Sequence, residues 1–199
     1  MHAHRLFIPV VFFSLLAPTM VESYENPPTE PGFSSLFDGK NIEEHFIIKG
    51  KKESWTVKDG VIHSLRGGNR IVSKEQYGDF VLRLDWRISD QGNSGIFIRC
   101  ADPQSVRDTN CYEVNIYDTR ADQTYRTGGI VHIAAPTSVI NAGGRWNTYE
   151  IAAQGPQLTV TLNGTQTVDV EDSQFADGPI ALQYGAGIVK FRNVRVRRR

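Results

Sequence analysis

Period-two alternation, with no competing helical period, is the feature that most constrains this chain. Phe80, Leu82, Leu84, Trp86 and Ile88 alternate with Val81, Arg83, Asp85 and Arg87. Leu158, Val160 and Leu162 alternate with Gln157, Thr159 and Thr161, then meet Asn163-Gly164, the strongest two-residue hairpin signal, before Gln166-Thr167-Val168. Successive strand side chains point to opposite faces, so such runs are half-buried strands. Further short runs are Trp55–Leu65 around Asp59-Gly60, Gly129–Ile133, Trp146–Ala153, Ile180–Tyr184 and Val189–Val196. No long capped helical stretch interrupts them, and no fixed-period repeat appears. Many short strands with Asn-Gly and Asp-Gly turns predict an all-β fold, an antiparallel β-sandwich or jelly roll, over one domain at residues 32–199.

The N-terminus has a different character. Met1-His2-Ala3-His4-Arg5 is basic, the run from Leu6 to Ala17 is broken only by Pro9 and Ser14, and Val21-Glu22-Ser23 follows. This pattern predicts a secretory signal peptide over 1–23 and hence a periplasmic or extracellular protein. The apolar run is shorter than the about 20 residues that span a bilayer, so stable membrane insertion is not expected after cleavage. The proline-rich segment 24–31 reads as a linker. Twenty-two basic residues balance 22 acidic ones, which gives no general attraction for nucleic acid. The arginines of the last five residues read as a solvated final strand.

The chain has two cysteines, Cys100 and Cys111, at the two ends of one connection. In an exported protein this favours a disulfide over two reduced core thiols. The strands it would join carry the densest chemistry. Asn93-Ser94-Gly95-Ile96-Phe97-Ile98-Arg99 precedes it and Tyr112-Glu113-Val114-Asn115-Ile116-Tyr117-Asp118 follows. Alternation places Arg99, Glu113 and Asn115 as candidates for one polar sheet face, which lines either solvent or a ligand groove because burying it unpaired is costly.

An ordered set of phrases extends over nearly the whole chain after the leader: Leu36-Phe37-Asp38-Gly39-Lys40, Trp55-Thr56-Val57-Lys58-Asp59-Gly60, Tyr77-Gly78-Asp79-Phe80, Asn93 to Arg99, Tyr112-Glu113-Val114, Thr127-Gly128, Trp146-Asn147, Leu162-Asn163-Gly164, Ile180-Ala181-Leu182-Gln183 and Phe191-Arg192-Asn193-Val194. The chain thereby resembles the 3-keto-disaccharide hydrolase family. The resemblance implies a concanavalin-A-like lectin/glucanase jelly roll and cleavage of glycosides oxidised at carbon 3. Asn115 stands where glutamine is common in that family.

In a 3-keto glycoside the carbonyl acidifies the carbon-2 proton, and a base can then expel the leaving sugar by elimination before water adds back. Such chemistry needs a proton acceptor and a donor or cation at the developing enolate. Glu113 is the candidate base and Arg99 the candidate clamp, with His132 and Asp118 as further catalytic candidates. Asn115, Gln183, Tyr117 and Arg192 are candidates for binding substrate. A bulge after Asn115 would instead put Glu113 and Asp118 on one face as the two carboxylates of a direct glycosidase. Glu113 and Arg99 could equally form a cross-strand ion pair, and His132 a satisfied structural group. A non-catalytic carbohydrate-binding module would use the same face, and a structural domain without a sugar ligand is the third alternative. The expected partner is an oligosaccharide or glycoside. Scattered histidines give no zinc-type cluster, while loop oxygens leave room for a divalent cation such as calcium.

Overall fold

The computed structural model describes residues 30–199. The leader and nearly all of the expected linker lie outside them. In chain order the strands are β1 (Ser34–Ser35), β2 (Phe46–Lys49), β3 (Trp55–Lys58), β4 (Val61–Ser64), β5 (Arg70–Tyr77), β6 (Phe80–Ile88), β7 (Ser94–Ile98), β8 (Tyr112–Ile116), β9 (Trp146–Gln154), β10 (Gln157–Leu162), β11 (Thr165–Glu171), β12 (Gly178–Gln183) and β13 (Val189–Arg198). A single turn of α-helix, α1, spans Ile42–His45.

The strands form two antiparallel sheets. The larger runs β11-β10-β9-β6-β13-β4-β3 with β1 paired to β13, and the smaller runs β2-β5-β12-β7-β8. The expected β-sandwich of the concanavalin-A-like jelly-roll type is the observed architecture. Two hairpins close on type I′ geometry, which matches the right-handed twist of the strands. Asp59-Gly60 has φ values of 52° and 72°, and Asn163-Gly164 has 51° and 82°.

The core lies between the sheets. Leu82, Leu84 and Trp86 of β6, Tyr149 and Ile151 of β9 and Phe191 of β13 meet Ile71, Ile96, Ile98, Val114 and Leu182 of the smaller sheet. Each such aliphatic side chain contributes about 1.5–3 kcal/mol on full burial. On β6 the intervening Arg83, Asp85 and Arg87 face outwards, as alternation requires.

The smaller sheet departs from simple alternation because part of its outer face is covered too. Cys100 and Cys111 are bonded. The loop they close turns back over the sheet, so that Val106 and the two cysteines pack with Val72, Phe97 and Ala181. All five residues of β7 are consequently buried, which explains the unbroken Ile96-Phe97-Ile98 run.

Two features differ from the sequence expectation. The segment Gly129–Ile133 is a tight turn with isolated bridges at Ile130, not a strand, and Ile130 and Ala134 exchange both backbone hydrogen bonds across it. At the other end of the chain, Glu30, expected in a detached linker, is ion-paired with Arg83 and Arg195 on the larger sheet.

Candidate active site

Glu113 stands on β8 opposite Phe97 of β7, on the face away from the sandwich core. It is 8% exposed. Among the described residues no hydrogen bond or ion pair reaches its carboxylate. The residue that gives it room is Gly95, diagonal to it on the neighbouring strand. A Cβ at position 95 would meet Glu113 Oε1 at 2.6 Å and its Cγ at 3.1 Å, so only glycine leaves the carboxylate its seat over β7. Burial, helped by the negative charge of Asp108, pushes the Glu113 pKa up to about 7, against weaker opposing pulls from Arg70 and Arg120.

Arg70 is the cation of this site. It opens β5, is paired with Gln183 of β12, and holds its guanidinium 4.8 Å from the centroid of the Phe97 ring. Its Nη1 donates to Asn69 Oδ1 at 2.7 Å, while its buried Nε has no acceptor. Arg70 and Glu113 form no ion pair, yet each feels the other's charge. The Gln183 Oε1 is likewise buried and without a donor.

The rim is made by two loops. The disulfide loop supplies Asp108, whose Oδ2 lies 3.1 Å from His132 Nε2. His132 sits in the left-handed region at φ 67°, in the turn that replaces the expected strand, and its ring meets Tyr125 edge-on at 5.9 Å. Left-handed backbone at a non-glycine residue is uncommon and concentrates at turns and functional sites.

Among the other sequence candidates, Arg99, Asp118 and Arg192 are held in contacts away from Glu113. Arg99 lies one residue beyond β7 with φ 50°, is 1% exposed, and is turned towards the β5–β6 turn and the β9–β10 turn. It donates to the Gly78 carbonyl at 2.9 Å and the Gly155 carbonyl at 2.7 Å, and pairs with Asp79 at 3.0 Å. It therefore joins two turns and makes no contact with Glu113, because the left-handed residue breaks the alternation that would have put them side by side. Asn115 does share the outer face, but its Nδ2 is bound to the Tyr125 carbonyl and its Oδ1 accepts from the Ile116 amide. It braces the loop behind the site. β8 pairs with β7 in unbroken register up to Ile116, so no bulge turns Asp118 towards Glu113. Asp118 Oδ2 accepts from the Ala142 and Gly143 amides at 2.6 and 2.9 Å, with Arg126 at 3.7 Å. That use removes the second carboxylate a direct glycosidase needs. Arg192 is on β13 of the other sheet, stacked 4.1 Å over Trp146 and bonded to Asp85 at 3.2 Å. Tyr117 follows β8, its amide held by Thr127 Oγ1 at 2.8 Å.

Among the described residues, Asp38, Glu44 and His45 are a group whose ligand atoms lie within 4.8 Å of one another. Asp38 already accepts from the Lys40 and Asn41 amides at the start of α1. None of the three belongs to the Glu113 cluster.

Arg70, Gly95 and Asp108 were missed by sequence reasoning. Arg70-Ile71-Val72-Ser73 shows no clean alternation, since Ile71, Val72 and Ser73 are all buried, so no local signal placed Arg70 on the outer face. Asp108 has no such signal either, since the closed loop alone brings it to the site.

Comparison with known proteins bears on the family and the fold. The sequence profile of a family described as the 3-keto-alpha-glucoside-1,2-lyase-like domain matches residues 32–197. A 3-keto-disaccharide hydrolase of Bacteroides thetaiotaomicron is 26% identical over 101 residues, which cover 45% of this chain and 35% of that protein. The match thus spans about a third of the length of that curated relative. A Parabacteroides distasonis structure, proposed to be a glycosyl hydrolase, superposes with a TM-score of 0.74 at 21% identity, covering 84% of this chain and 94% of that one. The carbohydrate-binding module CBM66 of Bacillus subtilis superposes with a TM-score of 0.58 at 18% identity, covering 83% and 95%. At these identities the two structures share the fold.

Proposed function

Because the chain belongs to the 3-keto-alpha-glucoside-1,2-lyase-like domain family, we propose that it is an exported carbohydrate-active enzyme that cleaves 3-keto glycosides by base-assisted elimination followed by hydration. The observation that carries this reading is the Glu113 side chain, buried, without a hydrogen-bond donor, its pKa raised to about 7, and within reach of the Arg70 charge. A base is most effective when its pKa is near the working pH, and burial brings a carboxylate there.

Glu113 takes the proton from carbon 2. The electron pair of that C–H bond enters the carbonyl as an enolate, whose oxygen the Arg70 guanidinium stabilises. The enolate then reforms the carbonyl, a C1=C2 double bond forms, and the C1–O bond to the leaving sugar breaks. His132, held by Asp108, protonates the departing oxygen. Water adds to carbon 1 and a proton returns to carbon 2, which gives the free 3-keto sugar and restores the ionisation state of the site. Gln183, with its orphaned Oε1, would accept a hydrogen bond from a sugar hydroxyl.

The fold shared with CBM66 supports a second reading, a binding module with the same ligand face. Release of free sugar from a panel of 3-keto and unoxidised disaccharides separates the two. The enzyme releases sugar from the 3-keto substrates alone. Binding without release from any of them would overturn the catalytic reading. For the region described, no helix is long and apolar enough to cross a membrane.

A further inference from the structure

Beside the Glu113 site, an open cleft of about 250 Å³ lies between the edge of the smaller sheet and the disulfide loop. Lys49 of β2, Arg70 of β5 and Arg107 of the loop line it, together with the amides of Asn69 and Gln104, and none of its lining residues is acidic. Among the described residues none of these three cations takes part in an ion pair. That contrasts with Arg83, Arg99, Arg126, Arg192, Arg195 and Arg198, each of which has a carboxylate partner. The Lys49 ammonium instead donates to Gln104 Oε1 at 2.9 Å across the cleft.

Bringing like charges together is unfavourable, and Arg70 feels this to a small degree. Burial, with an added repulsion from Arg107, lowers its pKa from the ordinary arginine value, while Glu113 and Asp108 pull it back. Of those two acids, Asp108 is shared with His132 and Glu113 is raised into the neutral range. An oxyanion entering from solvent would meet two guanidinium groups and an ammonium, donors suited to carboxylate and sulfate groups. From this we infer that the cleft formed by Lys49, Arg70 and Arg107 is a subsite for a compact oxyanion, a carboxylate or sulfate ester carried by the substrate sugar. The substrate class of the proposed reaction is then an acidic glycoside. This deepens the elimination reading and rests on it for the word substrate, but the binding itself does not depend on turnover.

The test is titration of the full chain with D-glucuronate, D-glucose 6-sulfate, D-glucose and inorganic sulfate, read by calorimetry or by chemical-shift change. The expected result is that one or both acidic sugars bind at least roughly tenfold more tightly than glucose and weaken as salt is raised. Tighter binding of glucuronate assigns the carboxylate, and tighter binding of the sulfate ester assigns the sulfate. Lys49→Gln with Arg107→Gln should bring the acidic sugars down to the affinity of glucose, with an unchanged melting curve showing that the variant is folded. Equal affinity for glucose and both acidic sugars overturns the proposal. So does binding of inorganic sulfate alone, which would mark an adventitious ion only, and so does undiminished acidic-sugar binding in the folded double variant. Acid-selective binding without cleavage of any 3-keto glycoside leaves the subsite standing and removes the enzymatic reading. Cleavage without acid selectivity does the reverse.

Discussion

The Oε1 atom of Glu113 lies 2.6 Å from the point where a side chain at Gly95 would begin. A buried carboxylate is thus seated directly against the backbone of the neighbouring strand. Gly95→Ala should displace it by a few tenths of an ångström or more. Misplacing a reacting group at this scale costs about 10- to 100-fold in turnover. The Glu113 pKa should also fall towards 4.5 as the carboxylate moves out into water. A side-chain carboxyl titration followed by NMR checks both the displacement and its direction.

Glu113 should cost stability at neutral pH. Its folded pKa of about 7 is above the ordinary 4.5, so between those values the folded protein binds a proton more strongly than the unfolded chain does. Stability therefore falls as pH rises through this window, with no penalty below it and the full penalty above it, on the order of 3 kcal/mol. Glu113→Gln should raise the melting temperature at pH 8, leave it nearly unchanged at pH 4, and flatten the profile in between. Thermal melts across this range measure it.

Arg99 should matter for folding. Its buried guanidinium bonds the Gly78 and Gly155 carbonyls, so Arg99→Met takes a donor from each and the cation from Asp79. With Asp79 and the carbonyls partly in solvent, the loss is roughly 1–2 kcal/mol. Urea unfolding should show it as a lower midpoint with an unchanged slope.

The Cys100–Cys111 bond should act on both stability and the site. Closing a loop of this size contributes about 2–3 kcal/mol. The same loop brings Val106 onto Phe97 and Asp108 to His132. Cys100→Ser with Cys111→Ser should lower the melting temperature and, by releasing Asp108 and the cover over the sheet, bring the Glu113 pKa down. Melting curves and the carboxyl titration read the two effects separately.

The fold was legible because alternation and I′ turns are local signals. Phe80 to Ile88 and the Leu162-Asn163-Gly164 hairpin carried their own instructions. The site was only half legible. Glu113 lay on a regular strand, so its face could be deduced. Arg99 lay one residue past a strand end, where a single left-handed residue redirects a side chain, and the sequence carries no mark of that. Asp118 was drawn away by amides 24 and 25 residues further on, a contact that only the tertiary fold creates. Strand β5 lacks the clean alternation of β6, since Ile71, Val72 and Ser73 are all buried, and Arg70 was overlooked with it.

The central claim is that Glu113 is the base. The pH dependence of kcat/KM for a 3-keto glycoside, measured for the native protein and for Glu113→Gln, tests it most directly. The account predicts a rate that rises with pH through a midpoint near 7 and a loss of about 100-fold or more in the variant. A variant that cleaves the 3-keto glycoside as fast as the native protein would contradict it.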